Sequence, residues 1–289
     1  RADPAEVYVP RTAAAARDEN AETPQSESVY VPAAPQNTAP VLSAADKAAT
    51  LTINNDTDYE VDVAACLAED THIRAEGEGP QVLVFHTHAS ESYTPDAAFP
   101  YTPTEPERTT DTRYNVVRVG DELCSALEER GIETVHLRSL FDTPTYAGSY
   151  DRSLEAVEQA LAEYPSVKVV IDLHRDSILT DEGVAYRTSC TIDGTETAQL
   201  MFVVGTDAGG LYHPDWRENL NFASTLQYAL NRAYPSLMRP LNLRTQRFDQ
   251  HASPGSLLVE VGSSGNTLPE ALSAVRLFAD VLADEMTGM

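Results

Sequence analysis

Basic side chains are scarce in this 289-residue chain: 20 lysines and arginines stand against 45 aspartates and glutamates, a formal net charge of -25. So acidic a surface repels a phosphate backbone, and no basic cluster offsets it, which excludes nonspecific nucleic-acid binding. Uncharged or cationic substrates, or a partner with a basic face, fit better. Cysteine is nearly absent as well. Cys66, Cys124 and Cys190 form an odd set without CxxC spacing, so they offer neither a zinc knuckle nor a fully paired disulfide framework and read as small buried apolar residues. No window approaches the roughly 18 to 20 apolar residues of a membrane-crossing helix. A GxSxG nucleophile elbow is missing, as is a phosphate-cradling GxxxxGK loop, which leaves serine-hydrolase and nucleotide chemistry without support. The chain opens at Arg1 rather than Met, as a sequence lacking an upstream signal or anchor would.

What is present suffices for a core, since 42% of the residues are hydrophobic. Residues 1–48 are rich in Ala, Pro, Glu, Ser, Thr and Asn and poor in large aliphatics, so they are expected to form a disordered linker. That stretch holds a short repeat, Glu6-Val7-Tyr8-Val9-Pro10 and Ser28-Val29-Tyr30-Val31-Pro32. Residues 49–289 are expected to form one folded domain. Leu51-Thr52-Ile53 alternates like a strand before the turn-forming Asn54-Asn55-Asp56. Four prolines and no periodicity mark residues 94–112 as an exposed loop, placed to wall or cover a site.

Val116, Val119, Leu123, Ala126 and Leu127 fall at helical spacing, with Gly131 as a stop. Ile132 to Leu137 reads as a strand, Leu154 to Leu161 as a helix, and Val167 to Leu173 as a further strand. Tyr186 to Ile192 and Gln199 to Val204 flank Asp193-Gly194, a hairpin signal expected to extend one sheet edge. Helical patterns at Arg217 to Ala233 and Leu268 to Glu285 flank the apolar run Ser256 to Val259. This alternation predicts an α/β fold, a mostly parallel central sheet flanked by helices.

Three apolar strands each end in metal-binding or base-type side chains. Val82 to Phe85 runs into His86-Thr87-His88-Ala89-Ser90-Glu91; Val169 to Leu173 into His174-Arg175-Asp176; and Leu257 to Val259 into Glu260. A catalytic zinc takes three ligands from His, Glu, Asp or Cys and keeps a position open for water. His88 with Glu91 forms an HxxE pair and His174 can complete the set, while His86 competes with His88. Magnesium and calcium prefer oxygen donors, so zinc suits these residues better. Glu260 is the candidate proton shuttle. Arg175, Asp176, Asn115, Arg244 and Gln250 are candidates to touch substrate or support the ligands, and Arg247 lies in the same stretch as Arg244.

The strings HTHASESY at 86–93, IDLHRDS at 171–177, FVVG at 202–205 and LVEVG at 258–262 resemble the stage II sporulation protein P family. The resemblance runs colinearly over most of the presumed folded domain. It implies a cell-wall amidase-like fold and a zinc-dependent peptidoglycan hydrolase, an N-acetylmuramoyl-L-alanine amidase with endopeptidase activity. It further implies work in septal wall degradation and engulfment during endospore formation, on the extracytoplasmic face of a membrane, held by an upstream anchor. Stage II sporulation proteins D and M are the implied partners. Carried over to this sequence, the implied zinc ligands are His86 or His88, Glu91 and His174, with Glu260 moving the proton. Amidases at large place their ligating Glu just before the first helix, near Tyr114-Asn115 here; neither is acidic, which favours Glu91, with Asp111 as a substitute.

Overall fold

A computed structural model describes residues 7–8, 43–71, 73–104 and 107–288. The linker expectation therefore lies largely outside the described residues. Two parts of residues 1–48 are described: Val7–Tyr8 (β1) forms a strand, and Ala44–Ala48 (α1) a short helix capped by the Ser43 hydroxyl. The second VYVP copy lies outside the described residues.

The remaining elements follow in order: β2 (Ile53–Asn55), α2 (Val63–Ala68), β3 (Val82–Phe85), α3 (Val116–Glu129), β4 (Thr134–Leu137), α4 (Ser149–Glu163) and β5 (Val169–Asp176). Then come β6 (Ser189–Ile192), β7 (Thr195–Ala198), β8 (Leu200–Gly205), α5 (Trp216–Ala233), β9 (Leu241–Arg244), β10 (Ser256–Ser263) and α6 (Leu268–Thr287). Eight strands make one sheet in the order β1-β4-β3-β5-β10-β8-β9-β2. Five of its seven pairings are parallel; β1 with β4 and β8 with β10 are antiparallel. The fold is thus the mostly parallel α/β sheet that the alternation predicts.

Side-chain alternation assigns the two faces. Val82, Val84, Ile171, Leu173, Phe202 and Val259 point to one side, in a core with residues of α3, α5 and α6. Leu83, Phe85 and Val170 point to the other, against Val157 and Ala160 of α4. Met201, Val203 and Leu258 form a small cluster of their own, covered by Phe248.

Two expectations need correction. The Asp193-Gly194 turn does join a hairpin, with positive φ at both residues. Its strands β6 and β7 form a separate two-stranded sheet, packed on α6 rather than on the edge of the large one. Leu200, Phe202 and Val204 are buried in the α5 and α6 core, so the chain breaks at Gln199 and gives β8 to the main sheet. Strands β5 and β10 also run three or four residues further than their apolar cores, so His174 and Glu260 lie within strands rather than beyond them.

Candidate metal and catalytic centre

Strands β3, β5 and β10 run parallel, with β5 in the middle, so their carboxyl ends lie side by side. On β5, Asp172 and His174 follow Val170 at two-residue spacing and share the face covered by α4. On β10, Glu260 follows Leu258 on that same face and is the register partner of His174. Beyond β3, the chain turns through residues 87–90 and presents His88 and Glu91. The His88 and His174 rings lie 5.2 Å apart, nearly perpendicular, and Glu91 Oε2 stands 3.3 Å from His174 Nδ1. All three are buried.

The charges are strongly coupled. Burial alone would raise the Glu91 carboxyl, but the hydrogen bond and charge of His174, with Arg175 beside it, bring it down to about 2. Burial works against a charged His174, yet Asp172 and Glu91 overcome it and raise that imidazole well above its ordinary value. Burial lowers His88, with His174 adding to the effect. Glu260 is pushed up to about 8 by burial, opposed by His174 and reinforced by the Glu91 and Asp176 charges. As a whole residue Glu260 is half-buried. Its Oε2 is nevertheless closed off from solvent and has no hydrogen-bond partner.

The surrounding groups hold this arrangement. Arg175 is buried; its backbone N–H donates to Glu91 Oε2 at 3.2 Å and its guanidinium to the Ser92 and Glu107 carbonyls. It therefore ties the 94–112 loop to the centre. Arg108 of that loop reaches Asp142 at 3.0 Å and Glu91 at 3.5 Å. Tyr146 bonds His88 Nε2 at 2.8 Å and stacks on its ring at 4.3 Å, while Ser149 Oγ is 3.3 Å from His88 Nδ1. Asp172 Oδ1 lies 2.8 Å from His174 Nε2. None of Arg108, Asp142, Tyr146, Ser149 or Asp172 emerged from the sequence as a site residue. Asp172 stood in the quoted IDLHRDS string, two residues before a histidine on a strand, and that spacing was the available signal.

The structure gives the other predicted residues partners of their own. His86 continues the alternation of Val84 onto the α3 face, opposite His174. There its Nε2 meets His136 Nε2 at 2.8 Å and its Nδ1 the Leu173 carbonyl at 2.8 Å. A Cβ on Gly120 of α3 would come within 2.7 Å of His86 Nε2 and 2.6 Å of His136 Nε2, so that glycine makes room for the pair. Asn115 caps α3, accepting from Val117 N–H and donating to the Thr109 carbonyl. Gln250 staples β8 through Gly205 N–H and the Val203 carbonyl. Arg244 pairs with Asp56, and Asp176 with Arg239. Arg247 donates to the Tyr212 carbonyl and Asp111 binds Arg113.

Among the described residues, no three His, Cys, Asp or Glu side chains already stand in a metal-binding geometry. The donor chemistry of His88, Glu91 and His174 nevertheless fits zinc, being two imidazoles and a carboxylate in mutual contact. Asp172 supplies the second feature of such sites. It lies against His174 Nε2, a buried atom without a directed hydrogen bond, as carboxylates behind metal-binding imidazoles do, leaving Nδ1 toward Glu91.

Solved N-acetylmuramoyl-L-alanine amidases align loosely. AmiC2 of Nostoc punctiforme is 13% identical at a TM-score of 0.41, covering 73% of this chain and 97% of its own. The catalytic domain of CwlV from Bacillus (Paenibacillus) polymyxa var. colistinus is 15% identical at 0.41, covering 72% and 97%. Likeness of this degree bears on neither activity nor mechanism. Sequence kinship is closer. Stage II sporulation protein P of Bacillus subtilis (strain 168) is 32% identical over 219 residues, which is 72% of this chain and 51% of that protein. The chain thus spans about half the length of that relative. The model of stage II sporulation protein P matches residues 6–283, and this chain belongs to that family.

Proposed function

We propose that this chain is a zinc-dependent peptidoglycan hydrolase, an N-acetylmuramoyl-L-alanine amidase with endopeptidase activity, acting on the septal wall during engulfment in endospore formation. The observation that carries the reading is the meeting of His88, Glu91, His174 and Glu260, from three parallel strand ends, on one face of the sheet. His88, Glu91 and His174 would hold the metal. Bound zinc supplies a Lewis acid and acidifies its water toward neutrality. Glu260 accepts the proton of the attacking water and returns it to the leaving nitrogen. Burial lifts its carboxyl above the ordinary carboxylate range in the metal-free centre, which favours the donating half of that task. One of Tyr146 and Ser149 would orient the His88 ring from its far nitrogen while the other yields its nitrogen to the metal, and Arg108 and Arg175 fix Glu91.

Family membership supports the sporulation role, an extracytoplasmic setting at the cell envelope and partnership with stage II sporulation proteins D and M. No helix among the described residues is long and apolar enough to cross a membrane; membrane attachment in this reading rests on family membership. Digestion of purified peptidoglycan tests the activity. Freed muramoyl lactyl groups and alanine amino ends are expected from the wild type. Glu260→Gln should keep zinc and lose about 10²-fold or more of the rate. New C-terminal ends alone would mean a carboxypeptidase-like enzyme. A wild type that binds the wall and releases nothing would mean a noncatalytic scaffold.

A further inference from the structure

Behind His174 runs a chain of buried oxygens that the reaction above does not use. Asp172 Oδ1 lies 2.8 Å from His174 Nε2. The Thr87 hydroxyl donates to Asp172 Oδ2 at 2.7 Å, and its backbone N–H to Oδ1 at 2.9 Å. Thr87 Oγ1 lies 3.0 Å from Ser153 Oγ of α4. Ser153 Oγ in turn lies 2.7 Å from Asp249 Oδ2. Thr87, Ser153, Asp172, His174 and Asp249 are each at most 5% exposed. Asp249 is the outer end, in the wall of a cavity of about 480 Å³ shared with Tyr150, Arg247 and Phe248.

A continuous donor chain through these oxygens has one direction. The single hydroxyl proton of Thr87 is committed to Asp172. The Thr87–Ser153 contact then holds a proton only if Ser153 donates, and the Ser153–Asp249 contact only if Asp249 donates. Ser153 Oγ also lies 3.0 Å from the Ser149 carbonyl and 3.2 Å from the Tyr150 carbonyl, both in the first turn of α4; the Thr87, Ser153 and Asp249 contacts are satisfied together only when Asp249 is a neutral acid and Ser153 turns its proton to Thr87 rather than to those carbonyls. Ionised, Asp249 captures the Ser153 proton, and the Thr87–Ser153 contact is left with two lone pairs face to face.

We propose that Asp249 is a positioning residue of the His174 centre: as a neutral acid it closes a donor chain through Ser153 and Thr87 that holds the Asp172 carboxylate against His174. Burial supports the neutral form, raising the carboxyl to about 7 against the Ser153 hydrogen bond, which lowers it. The charged groups facing it are Asp172 of β5 and Asp151 of α4, which raise it, and Arg247 of its own loop, which lowers it. The proposal rests on His174 being part of the working centre, and it makes that centre sensitive to a proton taken up at the cavity.

The test compares the full chain with Asp249→Asn, whose amide is a permanent donor to Ser153, and with Asp249→Ala. The rate of Asp249→Asn divided by that of the wild type should climb at least threefold from pH 6 to pH 8, while Asp249→Ala stays impaired at every pH. In a Ser153→Ala background the ratio should be flat, because the link is gone. Independently of activity, the ¹⁵N resonances of the His174 ring should move with a midpoint near pH 7 in the wild type and lose that transition in Asp249→Asn. A flat rate ratio together with an unchanged His174 transition overturns the proposal. An inactive wild type that still shows the Asp249-dependent transition would overturn the hydrolase reading and leave the donor chain standing.

Discussion

Gly120 and His86 show how one missing methyl group makes room for a buried pair of histidines. Two histidines precede Glu91 at two-residue spacing, and sequence alone leaves either as a ligand. Strand alternation carries His86 to the α3 face, where Gly120 admits both its ring and that of His136. Gly120→Ala gains about 1 kcal/mol of helix propensity but drives a methyl into two buried rings at 2.6–2.7 Å, for a net expected loss of about 1–3 kcal/mol in denaturant unfolding. His86→Ala should likewise lower stability yet keep one zinc per chain, whereas His174→Ala should lose the zinc; elemental analysis of dialysed protein separates them. Glu260 gives a pH prediction. Its folded carboxyl stands near 8 against about 4.3 when unfolded, so the folded state retains the proton longer. Stability of the metal-free protein is therefore full below about pH 4 and declines as pH rises toward 8. Glu260→Gln should remove that part of the decline and melt higher than the wild type at pH 8; a lower melting temperature there would contradict the assignment.

At the scale of elements, the apolar cores of the strands were legible because burial on both faces writes itself as Val, Leu and Ile runs. Their carboxyl ends were not. His174, Arg175 and Asp176 are strand residues without apolar character, paired with β10 across a register shift between Glu260 and Ser263, and no periodicity announces that. The hairpin shows the converse: Asp193-Gly194 marked its turn, but nothing local told that Gln199 would divide β7 from β8. What fixes the small sheet is Asn266, whose buried amide accepts from the Thr188 and Ser263 backbone N–H groups and donates to the Thr188 carbonyl. It sits directly before Thr267, which with Glu270 forms a capping box on α6. Asn266→Ala would strand those groups and should cost about 2–3 kcal/mol. Hydrogen exchange should report the loss first in residues 188–198, and uniform loss across the large sheet would argue against this local role.

For the whole molecule, the division of labour follows the topology. The α3, α5 and α6 side carries the larger apolar core, and the α4 side carries the candidate centre, so the two sit on opposite faces of one sheet. Sequence made the first legible through apolar spacing and offered the second only as histidines and carboxylates at strand ends. It could not supply Arg108, from the loop before α3, or Asp142 and Tyr146, from the loop before α4, which reach the centre through tertiary contact. The net charge of -25 contributes a long-range field that favours a cation, zinc included, and disfavours polyanions. The most direct test of the central claim is anomalous X-ray diffraction at the zinc edge from crystals of the full chain grown with zinc. One peak is predicted, about 2.0–2.2 Å from a His88 ring nitrogen, from His174 Nδ1 and from the Glu91 carboxylate. A peak at His86 and His136, or none near His174, would contradict it.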